Sequence, residues 1–174
     1  MNRVGQFFRA LGARLRDEDL AYLKTHLSPE GRELFFGMNL SDQAHALHVA
    51  RTAETLAEEQ DTSREREFLL RCALLHDVGR TAKDMGVGGK VFAVLCSSLA
   101  PGWARRWAKA GRSGLWGRPR HILHVFFHHP EIGAEKLKAA GFCEEAEIVR
   151  LHHRPSKEED PWVLRVLREA DERN

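Results

Sequence analysis

The sequence predicts an all-α fold, folded as a single helical bundle. Three observations carry that expectation. Period-two alternation and β-branched runs are scarce. Apolar residues recur instead at helical spacing, as in Leu47, Ala50, Ala53, Leu56 and Ala57, which form one stripe. Residues that start and stop helices also punctuate the chain at intervals a bundle would need. At 174 residues it is long enough for one domain with a proper core, and it has no internal repeat, low-complexity tract or linker.

In chain order, Phe7, Phe8, Leu11, Leu15, Leu20 and Leu23 mark an amphipathic N-terminal segment. Ser28-Pro29-Glu30 reads as an N-cap, a proline at the first helical position and an acidic first turn, opening a short helix toward Met38. Ser41 or Asp42 is expected to cap a longer helix reaching about Gln60. Ser63 opens the next, apolar nearly all round from Phe68 to Leu75, the pattern of a central buried helix, with Gly79 placed to end it. Met85-Gly86-Val87-Gly88-Gly89 reads as a flexible joint before an apolar run from Lys90 to Ala100. Pro101-Gly102 breaks that run, Trp103 to Ala110 could form a short helix, and a Gly- and Arg-rich loop extends to Pro119. Arg120 to Phe127 is helical in pattern. Pro130 then predicts that His129 lies near an N-cap, with Gly141 ending that helix. Helices from about Glu144 to His153 and from Asp160-Pro161 to Asp171 complete the chain. The expected organisation is an extension at residues 1–40 packed on a domain at 41–174, the latter carrying a basic, Trp-rich insertion at about 85–120.

Composition excludes several classes. Apolar residues at 43% and charged residues at 30% are those of a globular chain, not a disordered one. Cys72, Cys96 and Cys143 are isolated and odd in number, which argues against a disulfide frame or a cysteine zinc site and predicts a cytoplasmic setting. No stretch approaches the ~20 apolar residues of a membrane span, and the first residues lack the apolar segment of a secretion signal. The net charge of +2 is uninformative, but the ten histidines are many and clustered.

His45, His76-Asp77, His129, His152-His153 and Asp171 each fall on or at the end of a separate expected helix. Convergence of several helices on one point is how bundles build metal sites. Imidazoles with carboxylates suit transition metals such as Mn, Fe, Ni, Co or Zn better than Mg. His48 reads as a bystander or a support to its neighbour, and His121, His124 and His128 as packing or solvated residues.

The pattern His45-x-x-x-Val49-Ala50, Leu75-His76-Asp77-Val78-Gly79, His129-Pro130-Glu131-Ile132-Gly133-Ala134, Leu151-His152-His153 and Leu167-x-x-Ala170-Asp171 resembles the HD-domain metal-dependent phosphohydrolases, over roughly residues 41–171. The resemblance implies that His45, His76, Asp77 and Asp171 hold one divalent metal. It further implies that His129, His152 and His153 add a second in dinuclear members, with Asp77 shared. Arg80 stands where the cyclic-dinucleotide-cleaving subfamily has Lys, and Arg154-Pro155-Ser156-Lys157 follows the HH pair in place of a Gly-Tyr-Pro motif. The likeness is therefore closer to compact relatives that hydrolyse nucleotides or dinucleoside polyphosphates such as diadenosine tetraphosphate. Arg80 or Lys83 is expected to stabilise charge on the leaving side. Two other classes share the ligand set: di-iron oxygenases and non-catalytic nucleotide sensors.

From Met85 to Pro130 there is no Asp or Glu, while Lys90, Arg105, Arg106, Lys109, Arg112, Arg118 and Arg120 are interleaved with Trp103, Trp107 and Trp116. A one-sign patch attracts anions. Arg105, Arg106 and Lys109 are expected to bind substrate phosphate from a lid or wall over the metal site. A membrane-surface contact competes with that reading, and no recognised nucleic-acid module is present.

Overall fold

The computed structural model describes residues 15–57 and 63–174, so the expected apolar positions Phe7, Phe8 and Leu11 lie outside it. Among the described residues there are nine helices and no strand: α1 (Asp17–His26), α2 (Pro29–Phe36), α3 (Leu40–Leu56), α4 (Ser63–Leu75), α5 (Val87–Leu99), α6 (Pro101–Trp107), α7 (Gly117–Ala139), α8 (Cys143–Leu151) and α9 (Trp162–Arg173).

Helix α4 is central. Leu69, Leu70, Cys72, Ala73, Leu74 and Leu75 are all buried, as its apolar surround predicts. Helices α3, α8 and α9 pack on it, and α1 and α2 add Leu23, Leu27, Phe35 and Met38 to the same core. A separate, smaller core of Met85, Ala93, Ala104, Leu123 and Val125 lies under α5, α6 and the first half of α7. Helix α7 thus serves both cores: Leu123 and Val125 in one, Ala134 and Leu137 in the other.

Four expectations need correction. The cap of α3 is Asn39, whose side chain accepts from the Asp42 backbone N–H. Asp42 itself is buried and paired with Lys90, so its carboxylate is committed to the insertion. Met85–Gly89 is no joint, because α5 begins at Val87. Of its glycines only Gly89 packs closely, where a Cβ would approach Ile122 Cδ1 at 3.2 Å; Gly86 and Gly88 face open space. Pro101-Gly102 does end the apolar run, since α5 stops at Leu99, but α6 starts at Pro101 and not at Trp103, with the proline where a missing N–H costs nothing. His129 is not near an N-cap, since α7 runs unbroken for 23 residues with Pro130 inside it. Gly141 does stop α7, in the left-handed region at φ +89°.

Candidate metal centre

The polypeptide places three histidines by one repeated device. His76 and His152 each stand just beyond a helix C-terminus, after Leu75 and Leu151, where the last carbonyls lack partners. Each turns its Nδ1 onto the carbonyl three residues back: His76 onto Ala73 at 2.8 Å and His152 onto Val149 at 2.6 Å. His129 does the same within α7, meeting Phe126 O at 2.8 Å. That carbonyl is free because Pro130, four residues on, has no N–H to donate to it. In all three rings Nδ1–H donates, so Nε2 presents a lone pair.

These nitrogens converge with the carboxylates. His45 Nε2 lies 2.9 Å from Asp171 Oδ1, and His76 Nε2 lies 3.6 Å from Asp77 Oδ2 and 3.8 Å from Asp171 Oδ1. His129 Nε2 is 3.4 Å from Asp77 Oδ1. Two groups result, His45–His76–Asp171 and Asp77–His129–His152–His153, with the ligand atoms in each within 4.8 Å of one another. His76 and Asp77, adjacent in the chain, belong one to each group and join them.

Burial makes this a costly arrangement without a cation. His76, Asp77, His129 and His152 are almost inaccessible, and His76 Nε2, His152 Nε2 and Asp77 Oδ1 have no hydrogen-bond partner. Orphaned buried acceptors cost of the order of 1–3 kcal/mol each. A divalent ion in each group would satisfy all three, so the residues fit a metal. The C-termini of α4, α8 and α9 also reach this point, and their negative dipole ends favour a cation.

The electrostatics agree. Burial would raise the Asp77 carboxyl, but the Arg80 guanidinium and the surrounding imidazoles of His76, His129 and His45 hold it well below the usual carboxylate range. Burial would also raise Asp171, yet the His45 hydrogen bond and the nearby His76 keep it low. His129 is pushed well down by burial and by Arg80. Burial, with His153 and His76 close by, pushes His152 down to about 3. The acids are therefore anionic and these two imidazoles neutral, the states in which they ligate metal.

The HD domain family model matches residues 43–91, the segment holding His45, His76, Asp77 and Arg80. Over that segment, 49 of the 174 residues, the chain is similar to the HD domain. No curated protein and no solved structure matches it. HD domains bind divalent metals, and the superfamily is one of metal-dependent phosphohydrolases. The HD pair itself is the turn closing α4, and Gly79 is required there by close approach: a Cβ would stand 2.1 Å from His129 O. On the other side, a Cβ on Gly133 would be 3.2 Å from Gly79 N. The glycines of the HD turn and of α7 thus face one another, which sets His129 against Asp77.

A cavity of about 390 Å³ opens beside the metal centre. Its walls include Arg80, His129 and His153 on the HD side, Ser97, Pro101 and Arg105 from the insertion, and Arg150 and Arg154 around α8. Arg105 is held over the Phe127 ring at 4.8 Å. Of the remaining residues singled out from sequence, Lys83, Arg106 and Lys109 are exposed and do not line the cavity. His48 is exposed, His121 bonds Asp84 at 3.0 Å, and His124 and His128 contact each other at 4.7 Å between ring centres. Arg150, Arg154 and Glu131 were not foreseen. Arg154 directly follows the HH pair and Glu131 lies two residues after His129, signals that could have found them; Arg150 gave none.

Proposed function

We propose that this chain is a metal-dependent phosphohydrolase acting on a small phosphate ester or anhydride, of the nucleotide or dinucleoside polyphosphate class. The observation that carries the reading is the juxtaposition of two ligand groups with a cavity lined by four arginines, Arg80, Arg105, Arg150 and Arg154. Against them Glu131 is the one acidic residue among the lining residues.

Each part of the site has a task under this reading. His45, His76, Asp77 and Asp171 would hold one ion, and Asp77, His129, His152 and His153 a second. Bound there, a divalent ion lowers the pKa of water toward about 7 and offsets charge on phosphoryl oxygens. Arg80 reaches from the ligands to the cavity and would take charge developing on the phosphate as the bond breaks. Arg105, Arg150 and Arg154 would orient the remaining phosphates, a role for which the planar guanidinium is suited. A volume near 390 Å³ admits a nucleotide-sized ligand.

The experiment is phosphate release from a panel of nucleotides and dinucleoside polyphosphates, with Mn, Fe, Co, Ni, Zn or Mg supplied to the metal-stripped protein. Metal-dependent release that Asp77→Ala abolishes supports the reading. Oxygen consumption with an iron chromophore and no phosphate release would transfer the site to oxidative chemistry. Tight nucleotide binding without turnover would make it a sensor.

A further inference from the structure

We propose that the outer face of the insertion is a docking surface for an anionic lipid bilayer, on which the protein lies peripherally. This inference is independent of the reaction assigned above.

The argument begins with α5. A surface helix normally turns polar residues outward. Helix α5 is apolar on both sides: Phe92, Ala93 and Cys96 face the smaller core, while Val87, Val91, Val94, Leu95 and Leu99 form an exposed stripe at helical spacing. Trp103 on α6 and Leu115 and Trp116 in the following loop extend it. Of the eleven exposed large hydrophobic residues described, these make eight. Leu99 is 83% exposed, Leu115 87% and Trp116 61%. A concentration of this kind marks an interaction site.

Charge selects the occupant. The stretch from Met85 to Pro130 has no acidic residue. Its flanking acid, Asp84, is already engaged by Arg112 at 2.5 Å and His121 at 3.0 Å. Lys90 is engaged by Asp42. Arg106, Lys109 and Arg118 remain exposed beside the apolar stripe, without an ion pair among the described residues. A second copy meeting this face through a twofold would set cation against cation, which disfavours a homodimer. Nucleic acid would use the cations but leave aliphatic Leu95, Leu99 and Leu115 in water. A bilayer with anionic headgroups uses both, with aliphatic side chains entering the acyl boundary, tryptophans at headgroup level and Arg and Lys on the phosphates.

Length decides between lying and crossing. Helix α5 has 13 residues, about 20 Å at 1.5 Å per residue, against roughly 30 Å of hydrocarbon. No described helix is long and apolar enough to cross a membrane. The same helices supply Ser97, Pro101 and Arg105 to the cavity wall, so a docked protein holds the cavity beside the headgroup layer.

The test is co-sedimentation of the full chain with phosphatidylcholine vesicles, with and without phosphatidylglycerol, at low and high salt, alongside the tryptophan emission. Binding to the anionic vesicles alone is expected, with a blue-shifted emission and loss at high salt. A variant combining Leu95→Gln, Leu99→Gln and Leu115→Gln replaces exposed residues only. It should keep the circular dichroism and metal content of the parent while binding vesicles at least roughly tenfold more weakly. A variant combining Arg106→Gln, Lys109→Gln and Arg118→Gln should flatten the preference for anionic lipid. No binding at low salt, equal binding to neutral vesicles, or unchanged binding by the Leu variant would each overturn the proposal. So would a stable dimer that the Leu variant dissociates.

Discussion

The guanidinium of Arg80 bridges Asp77 and His129: Nη1 lies 2.6 Å from Asp77 Oδ2 and Nη2 donates to His129 Nε2 at 2.9 Å. A side-chain cation therefore stands between two residues that would share a second metal ion. Replacing it with Arg80→Gln removes that competitor together with a charge facing the cavity. Metal analysis should show a content equal to or above the parent's, while kcat falls by roughly 10²-fold. Loss of metal along with turnover would mean that Arg80 supports the ligands and does not act on the substrate.

Asp77→Ala should empty both ligand groups, since Asp77 belongs to one and adjoins His76 of the other. The expected result is loss of bound metal by elemental analysis and of all turnover. The metal-free protein should also melt at a lower temperature, because Asp77 Oδ2 accepts from the Arg80 guanidinium at 2.6 Å and its removal leaves that buried charge without its carboxylate.

Gly79→Ala should be among the most damaging single-methyl additions in the chain. The Cβ would meet His129 backbone atoms at 2.1, 2.8 and 2.9 Å, and backbone cannot give way as a side-chain tip can. A loss of about 3 kcal/mol in urea unfolding is expected, with metal affinity reduced because α7 must withdraw His129 from Asp77.

Pro130→Ala should separate stability from ligation. Alanine restores an N–H that would bond Phe126 O and complete the α7 ladder, favouring the helix by as much as about 3 kcal/mol. The same bond competes for the carbonyl that now fixes the His129 ring. Thermal melting should rise or hold while metal titration shows weaker binding. Weaker binding with a lower melting temperature would contradict this account of the proline.

Asp84 gives the insertion a pH dependence. Burial would raise its carboxyl, but hydrogen bonds from Thr81, His121 and Arg112 bring it from 3.8 down to about 2. A carboxyl depressed on folding stabilises the fold above its unfolded value, and that contribution disappears as pH falls from 3.8 toward about 2. After allowance for solvent screening it is of the order of 1 kcal/mol. Asp84→Asn should lower the urea midpoint at neutral pH, and the gap to the parent should narrow on acidification below about pH 4.

The parts of this molecule visible in its sequence are those where one residue's chemistry decides locally. Gly141 does end α7, and the ligand candidates fall at helix ends or in apolar stripes because burial demands it. What the sequence hid depends on distant neighbours. Gly88 and Gly89 suggested a hinge, but Gly89 lies within α5 and packs on Ile122 of α7, whose Cδ1 a Cβ there would meet at 3.2 Å. Asp42 looked like a cap until Lys90, 48 residues on, claimed it. Pro130 looked like a helix boundary because the bond it forfeits is replaced by an imidazole, not by backbone. Arg150 reaches the cavity only through the packing of α8 on α7.

Helix α7 carries its own consequence. One rod anchors Leu123 and Val125 in the smaller core at one end and presents His129 to Asp77 further along, with no loop between them. A force that tilts the outer end is therefore delivered to an imidazole of the candidate metal centre. Whatever grips the insertion from outside has a mechanical handle on the ligand group around Asp77.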